Sequence, residues 1–376
     1  MSANKWRHAT STVPMPRHDR AAVSSASKAE ARPRLKLAAA TPPAVDTSPA
    51  SPRRGMQVLR YAVVLVALAV YPWVASSFFT FQVAGQALVL GIIGLSLAFL
   101  AGYGGMVSLS QMTVAGIAGY AVAIFGQSAV GNISLGWPWW LAALTGVVLA
   151  VIVATLIGLI SVRTDGIYTI MITLAIGVAM FYLAQQNHTV FNGFQGFSRV
   201  TAPVIGGISL RDPIPFFYVA LTLGLSAYAA VKYLVRAPFG MALQGVRDNA
   251  RRMRALGFDV TAHRVAAHAF AGLIAGIGGV LLVWYNAGIS PGTIGADALI
   301  NILVVAVLGG MRHPIGPFIG ALVFVLLQNF AIDLIDRERF NLVIGGAFLL
   351  IVLFSPDGLL GLWHRARGYL HPATKR

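Results

Sequence analysis

The side chains that could break or make bonds are few in this 376-residue sequence, and their spacing assembles no catalytic site. There is no cysteine, which excludes a disulfide framework, a thiolate metal site and a cysteine nucleophile. His263 and His268 are five residues apart, a spacing that does not place two ligands on one helix face. The other histidines show no metal-binding pattern either. None of Lys5, Lys28, Lys36, Lys232 and Lys375 ends a phosphate loop of the form Gly-x-x-x-x-Gly-Lys-Ser/Thr, so the chain cannot be the ATPase of a pump. Acidic residues are nearly absent from the apolar stretches: Asp165 and Asp297 stand at their ends, Asp333 and Asp336 at an edge. Proton-coupled carriers need ionisable groups within the membrane, and an intramembrane hydrolase needs paired carboxylates. Sodium is excluded less firmly, because carbonyls and hydroxyls can hold it. His268 alone among the histidines lies well inside an apolar stretch, where a hydrogen-bonded structural contact is the ordinary role and a proton relay the rarer one.

Two segments retain chemical interest. The first is Gly102-Tyr-Gly-Gly-Met-Val-Ser-Leu-Ser-Gln111. Gly102, Gly104 and Gly105 free the backbone, and the following helix opens with Ser108, Ser110, Gln111 and Thr113. An interrupted helix exposes N–H and C=O groups to a small zwitterion; a tight turn with interhelical hydrogen bonds is the plainer alternative. The second is the basic stretch 235–264. Met241, Leu243, Val246, Ala250, Met253 and Leu256 recur at helical spacing, while Arg247, Arg251 and Arg254 mark another face. Gly257 is a natural helix stop. This predicts a short amphipathic helix over about 242–256, lying on a lipid surface or seated in a soluble partner.

The elements that must carry these segments are membrane-spanning. Hydrophobic residues make up 57% of the chain and charged residues only 11%, against about 25% charged in soluble domains. Apolar stretches occur near 61–79, 81–101, 106–126, 139–161, 167–186, 215–234, 265–285, 298–311, 316–332 and 341–356, each close to the length that crosses a bilayer. The expected fold is all-α and polytopic, with about ten spans, or eight if the two short stretches at 298–311 and 341–356 do not cross. The net charge of +16 would suggest nucleic acid in a soluble protein. Its distribution argues otherwise. If all ten stretches cross, Arg199, Arg211, Arg337 and Arg339 fall on one side, and the other Lys and Arg residues on the opposite side. That is the positive-inside pattern, with both termini cytoplasmic and the basic residues facing lipid. Gly272 and Gly276 form a small-xxx-small pair suited to close helix packing. Trp137, Trp139 and Trp140 read as an interfacial anchor at the external edge.

Residues 1–55 differ in composition: rich in Ala, Ser, Pro and Arg, they read as a disordered basic cytoplasmic tail, a targeting segment or an over-extended start before Met56. A permease domain over 56–362 and a second basic tail over 363–376 complete the expected organisation.

At the basic stretch the sequence resembles a known family. Pro238-Phe-Gly-Met-Ala-Leu, Arg247-Asp-Asn-Ala and Arg254-Ala-Leu-Gly-Phe are similar to the coupling-loop region of branched-chain amino-acid ABC permeases of the LivM type. Three other places agree in order. The segment 102–111 resembles the family's Gly-Tyr-x-Gly-Gln-x-Ser-Leu-Gly-His, with Met106 in place of Gln and Ser110-Gln111 in place of Gly-His. Asp165-Gly-Ile-Tyr-Thr-Ile-Met-Ile-Thr-Leu-Ala, which contains Thr173, resembles Gly-Ile-Tyr-x-x-x-x-Thr-Leu-Ala. Val307-Leu-Gly-Gly and Ile315-Gly-Pro-Phe-Ile-Gly-Ala resemble its Leu-Gly-Gly and Gly-Pro-x-x-Gly-Ala pair.

The resemblance implies an ATP-driven importer in the bacterial cytoplasmic (inner) membrane. This chain and a LivH-like second permease would line the path. Two separate ABC ATPases would bind ATP and Mg, and an external binding protein would deliver the solute. No cofactor is expected on this chain. By the same resemblance Arg247, Asp248, Asn249, Ala250, Arg251, Arg254, Ala255 and Gly257 would serve ATPase coupling, and Gly102, Gly104, Gly105, Ser108, Ser110, Gln111, Thr113 and Thr173 are the candidate path. Urea and short-amide importers use similar subunits. A stand-alone carrier or channel and a membrane scaffold are the competing classes.

Overall fold

The structure, a computed structural model, describes residues 53–164, 166–334, 345, 346, 349 and 358–361. The tail before Arg53, Asp165, most of the tenth apolar stretch and the tail at 363–376 lie outside these residues. Arg53–Gln57 open the first helix, and the compact helical body begins at Val58.

Among the described residues ten helices succeed one another: α1 (Arg53–Val74), α2 (Phe79–Tyr103), α3 (Gln111–Phe125), α4 (Trp139–Ser161), α5 (Ile167–Gln186), α6 (Pro213–Arg236), α7 (Pro238–Ala255), α8 (Val260–Asn286), α9 (Ala296–Gly309) and α10 (Gly316–Leu334). Five of them, α2, α4, α5, α6 and α8, are long and apolar enough to cross a membrane; α1, α3, α9 and α10 contain shorter apolar helices. The protein is therefore a polytopic helical membrane protein. At α4 and α5 the boundaries are those expected, whereas α6, α7 and α8 begin two to five residues earlier than the apolar pattern suggested. Pro138 precedes α4, and Gly166 at φ +62° precedes α5. Proline at the first turn starts α6 and α7, where its missing N–H costs no hydrogen bond. Asp259 caps α8 by accepting from the Ala262 N–H at 3.0 Å. The first helix departs from expectation: it spans Arg53–Val74 rather than 61–79.

The centre of the bundle is α2, α3 and α8. Helix α8 packs on α4, α3 and α2, and α10 packs on α2 and α9. Absent side chains set these approaches. Gly272 and Gly276 both face α4, where a Cβ on Gly276 would stand 2.9 Å from the Ala150 Cβ. Gly279 lies against the Ala115 backbone of α3, and Gly309, Gly316 and Gly320 bring α9 and α10 into backbone contact. Close packing is thus the role of the Gly272–Gly276 pair, as the spacing suggested.

Connections gather at two ends. At one, the turn after α2 meets α7 and the α9–α10 turn, through Arg247 to the Gly102 carbonyl and Tyr103 to the Arg312 carbonyl. At the other, the 126–138 loop meets the segment around 197–201, which pairs with the chain after α8. The helical class needs one qualification there. Two short antiparallel ladders are present, β1 (Phe197–Ser198) with β4 (Gly288–Ile289), and β2 (Val204–Ile205) with β3 (Ile208–Ser209).

Candidate translocation and coupling sites

The glycine segment is a turn between α2 and α3. The last residues of α2, Phe99–Tyr103, widen into a π-helix, and Gly105 takes φ +68°. Beyond it lies a buried, uncharged polar cluster. The Ser108 and Ser110 hydroxyls are 2.9 Å apart. The Leu109 N–H donates to Thr173 Oγ1 on α5 at 3.1 Å, and that hydroxyl donates to the Thr169 carbonyl at 2.9 Å. One end of the Gln111 amide meets Ser96 Oγ on α2 at 3.1 Å. Its other end and the Thr113 hydroxyl have no hydrogen-bond partner. Thr113 faces Gly177 on α5, where a Cβ would stand 3.0 Å from its Oγ1. Ser96, Ser108, Ser110, Gln111, Thr113 and Thr173 are all fully buried. The predicted path residues therefore converge, with Gly102, Gly104 and Gly105 at the mouth of the turn. Their side chains are enclosed within this one chain. Buried polar atoms without partners are uncommon and costly, so this cluster has hydrogen-bonding capacity that the protein does not use.

Helix α7 differs from the predicted continuous helix. Asn249, at φ −156° and ψ 91°, is not helical. Its Oδ1 accepts from the Arg252 N–H at 2.9 Å, so it is the N-cap of a new short helix rather than a link in one rod. The first half is anchored: Gly240, Ala242, Leu243 and Val246 are buried. Met253 folds back over Gly245. The second half projects. Arg251, Arg252, Arg254 and Ala255 are exposed, with Leu256 65% and Phe258 41% exposed beyond it. Gly257 at φ +89° ends the helix as predicted. Ala250 is half-buried at the joint. Arg247 does not share a face with Arg251 and Arg254, because the break at Asn249 intervenes. It turns back to the bundle, its Nη1 donating to the Gly102 carbonyl at 2.6 Å, and it pairs with Asp248 at 2.9 Å.

The opposite end holds a cavity of about 820 Å³ lined by Trp137, Trp139, Trp284, Arg199 and Arg211. Among its lining residues there is no carboxylate. Arg199 and Ala287, both on its wall, adopt left-handed φ of 52° and 50°, a conformation that non-glycine residues hold only when the surroundings impose it. Three backbone bonds do so here: Ala129 N–H to Ser198 O, Val200 N–H to Ala287 O and Thr201 N–H to Gln127 O, each 3.0 Å. Sequence reasoning assigned the tryptophans to interfacial anchoring and missed the cavity. It also missed Tyr120, whose buried hydroxyl has no partner while its ring meets Phe191 and Phe197 edge-on. His268 is buried, with Nδ1 3.0 Å from the Arg264 carbonyl and Nε2 unpartnered. Among the described residues no cluster of His, Cys, Asp or Glu could hold a metal ion.

Comparison with known proteins adds identity to this geometry. The family described as "Branched-chain amino acid transport system / permease component" matches residues 79–353. The chain is 24% identical over 341 residues to the high-affinity branched-chain amino acid transport system permease protein LivM of Escherichia coli, covering 85% of this chain and 77% of that protein. It is 24% identical over 286 residues to a probable LivM of Methanocaldococcus jannaschii, covering 68% and 80%. A nucleoside ABC transporter permease protein, NupC of Lactococcus lactis, is 25% identical over 241 residues, covering 61% and 74%. No solved structure matches the chain. A polytopic bundle with a basic element projecting from one end, matched along most of its length by permeases, belongs to the branched-chain amino-acid transport system permease family, and the chain is the permease subunit of an ABC transporter.

Proposed function

We propose that this chain is the LivM-type half of an ATP-driven importer for branched-chain or other hydrophobic amino acids. It sits in the bacterial cytoplasmic membrane with both termini inside, and the domain at 56–362 forms the path with a LivH-like second permease. A probable LivH of Methanocaldococcus jannaschii is 27% identical to this chain over 230 residues, covering 58% of this chain and 66% of that protein. Two ABC ATPases, carrying ATP and Mg, dock on the projecting half of α7 through Arg251, Arg254, Ala255 and the exposed Leu256 and Phe258. An external binding protein meets the end that holds Arg199 and Arg211. The observation that supports this reading is the two-part form of α7: Gly240, Ala242, Leu243 and Val246 of its first half are buried, and no residue of its second half is.

The neutral lining of Ser108, Ser110, Gln111, Thr113 and Thr173 suits a zwitterion with no net charge, held by hydroxyls, an amide and open backbone groups. Because the cluster is enclosed in this conformation, conduction requires α3 and α5 to part. A second reading, a nucleoside importer, is favoured by the NupC relative, since a ribose also asks for uncharged donors and acceptors. The test is uptake by right-side-out vesicles, loaded with Mg-ATP, that contain the chain with its genomic ATPase and second permease and receive the binding protein from outside. ATP-dependent accumulation of leucine is expected. Uptake that persists without the ATPases rejects the ABC reading, and accumulation of uridine or urea instead of leucine rejects the solute.

A further inference from the structure

Arg247 is set apart from the other arginines of α7. Its Nη1 donates to the Gly102 carbonyl at 2.6 Å, while Nε and Nη2 each lie 2.9 Å from Asp248 Oδ1. The neighbouring carboxylate thus fixes the plane of the guanidinium and aims its remaining edge at the turn. A guanidinium is always charged and presents donors in a rigid fork, so the contact has a defined direction for as long as it is made. The stem of Arg247 lies on Gly105. A Cβ on Gly105 would stand 2.5 Å from Arg247 Cγ, and its φ of +68° disfavours any side chain independently. The same turn is held from its other side. The Gly102 Cα abuts the Met311 carbonyl, and the Tyr103 hydroxyl donates to the Arg312 carbonyl at 3.2 Å. Beyond the turn, Leu109 and Gln111 tie the start of α3 to Thr173 and Ser96. Arg247 is itself 36% exposed, but its guanidinium is taken up by the Gly102 carbonyl and Asp248, and the break at Asn249 separates it from Arg251 and Arg254.

We propose that Arg247 is not part of the docking surface. It is the positioning residue that passes movement of the docking half of α7 to the Gly102–Gly105 turn, and so sets how much solute is moved per ATP. This rests on the reading of α7 as the ATPase-docking element. Contiguity alone is not coupling, so the test measures coupling and docking separately.

The chain lacks cysteine, so a spin label placed by Val107→Cys before assembly with partners whose cysteines have been blocked reports on the turn alone. In the assembled transporter, reconstituted in nanodiscs, Mg-ATP changes the mobility of this label. Adding Arg247→Gln abolishes that change while the ATPases still co-purify in full. In proteoliposomes Arg247→Gln lowers leucine uptake per ATP hydrolysed on the order of tenfold, a usual size for coupling between two sites. Gly105→Ala, which displaces the same stem, gives a similar loss, and the double variant is no worse than either single one. The proposal is overturned if the label responds to Mg-ATP despite Arg247→Gln, or if it never responds while ATPases are bound. It is overturned equally if Arg247→Gln releases the ATPases, or if the two single losses multiply. If the unsubstituted chain binds no ATPase at all, the docking reading itself falls, and this inference falls with it.

Discussion

The two ends of the bundle are held together by different means. At the end that carries Arg199 and Arg211, neighbouring segments are joined backbone to backbone. The β1–β4 ladder, the bonds between 127–129 and 198–201, and the bonds from Gly136 and Trp137 back to Gly126 and Phe125 form one mesh. At the α7 end, side chains make the joins: Arg247 to Gly102, Tyr103 to Arg312, and Met253 over Gly245. Backbone ladders resist shear because many groups must part together, whereas a side-chain contact is released by one rotamer change. The comparison teaches where motion can enter. The first end is a frame, and the second is an arrangement of separable contacts built around a turn.

The largest expected effect lies at the separable end. Arg251→Glu with Arg254→Glu reverses the charge of the projecting helix and weakens ATPase binding on the order of 100-fold or more, since like-charge juxtaposition across an interface costs several kcal/mol. Co-purification measures this, and the level of the chain in the membrane stays unchanged. Retention of the ATPases breaks the docking assignment. Next comes the frame. Gly196 takes φ +63°, and a Cβ there would run into the Ile289 carbonyl. Gly196→Ala destabilises the purified protein by about 2 kcal/mol, read as a lower melting temperature, and leaves uptake per ATP unchanged in the protein that survives. If uptake per ATP falls instead, that end is not a passive frame.

A smaller effect sharpens the joint itself. Asn249→Ala removes the N-cap of the short helix, costing about 1 kcal/mol, which titration reads as severalfold weaker ATPase affinity; Asn249→Ser restores most of it. Smallest is Arg199→Ala with Arg211→Ala. These exposed charges act chiefly on encounter, so binding-protein association slows by about fivefold at low salt, and the difference shrinks as ionic strength rises.

Much of this architecture was legible in the sequence, and the gaps have physical causes. Helices α4 and α5 fall at the expected residues because Pro138 and Gly166 stop alternatives outright. The Gly272–Gly276 spacing indicated a close helix contact, though not that its partner is α4. The bend at Asn249 was hidden because the apolar residues Met241, Val246, Ala250 and Met253 keep helical spacing through it; a periodic pattern reports which residues face inward, not whether the ladder is continuous. The available signal was Asn249 itself, a strong capping residue ahead of Ala-Arg-Arg. Likewise Val204-Ile-Gly-Gly-Ile-Ser carries a Gly-Gly hairpin signature, obscured by the surrounding apolar composition. The polar cluster was readable as a set of residue types. Its enclosure by α2, α3 and α5 was not, because tertiary packing decides which polar groups go without partners.

The single non-helical residue at Asn249 has a mechanical consequence. A helix that ends and restarts at a cap has fewer backbone hydrogen bonds that must stretch when the two pieces tilt. Rotation about that residue's φ and ψ therefore changes the pitch of 250–255 cheaply, while compression along the chain is still resisted by covalent geometry. Such a joint is compliant in bending and stiff in thrust. It tolerates small errors in the angle at which a partner approaches, yet still delivers a displacement to Arg247 and the turn behind it.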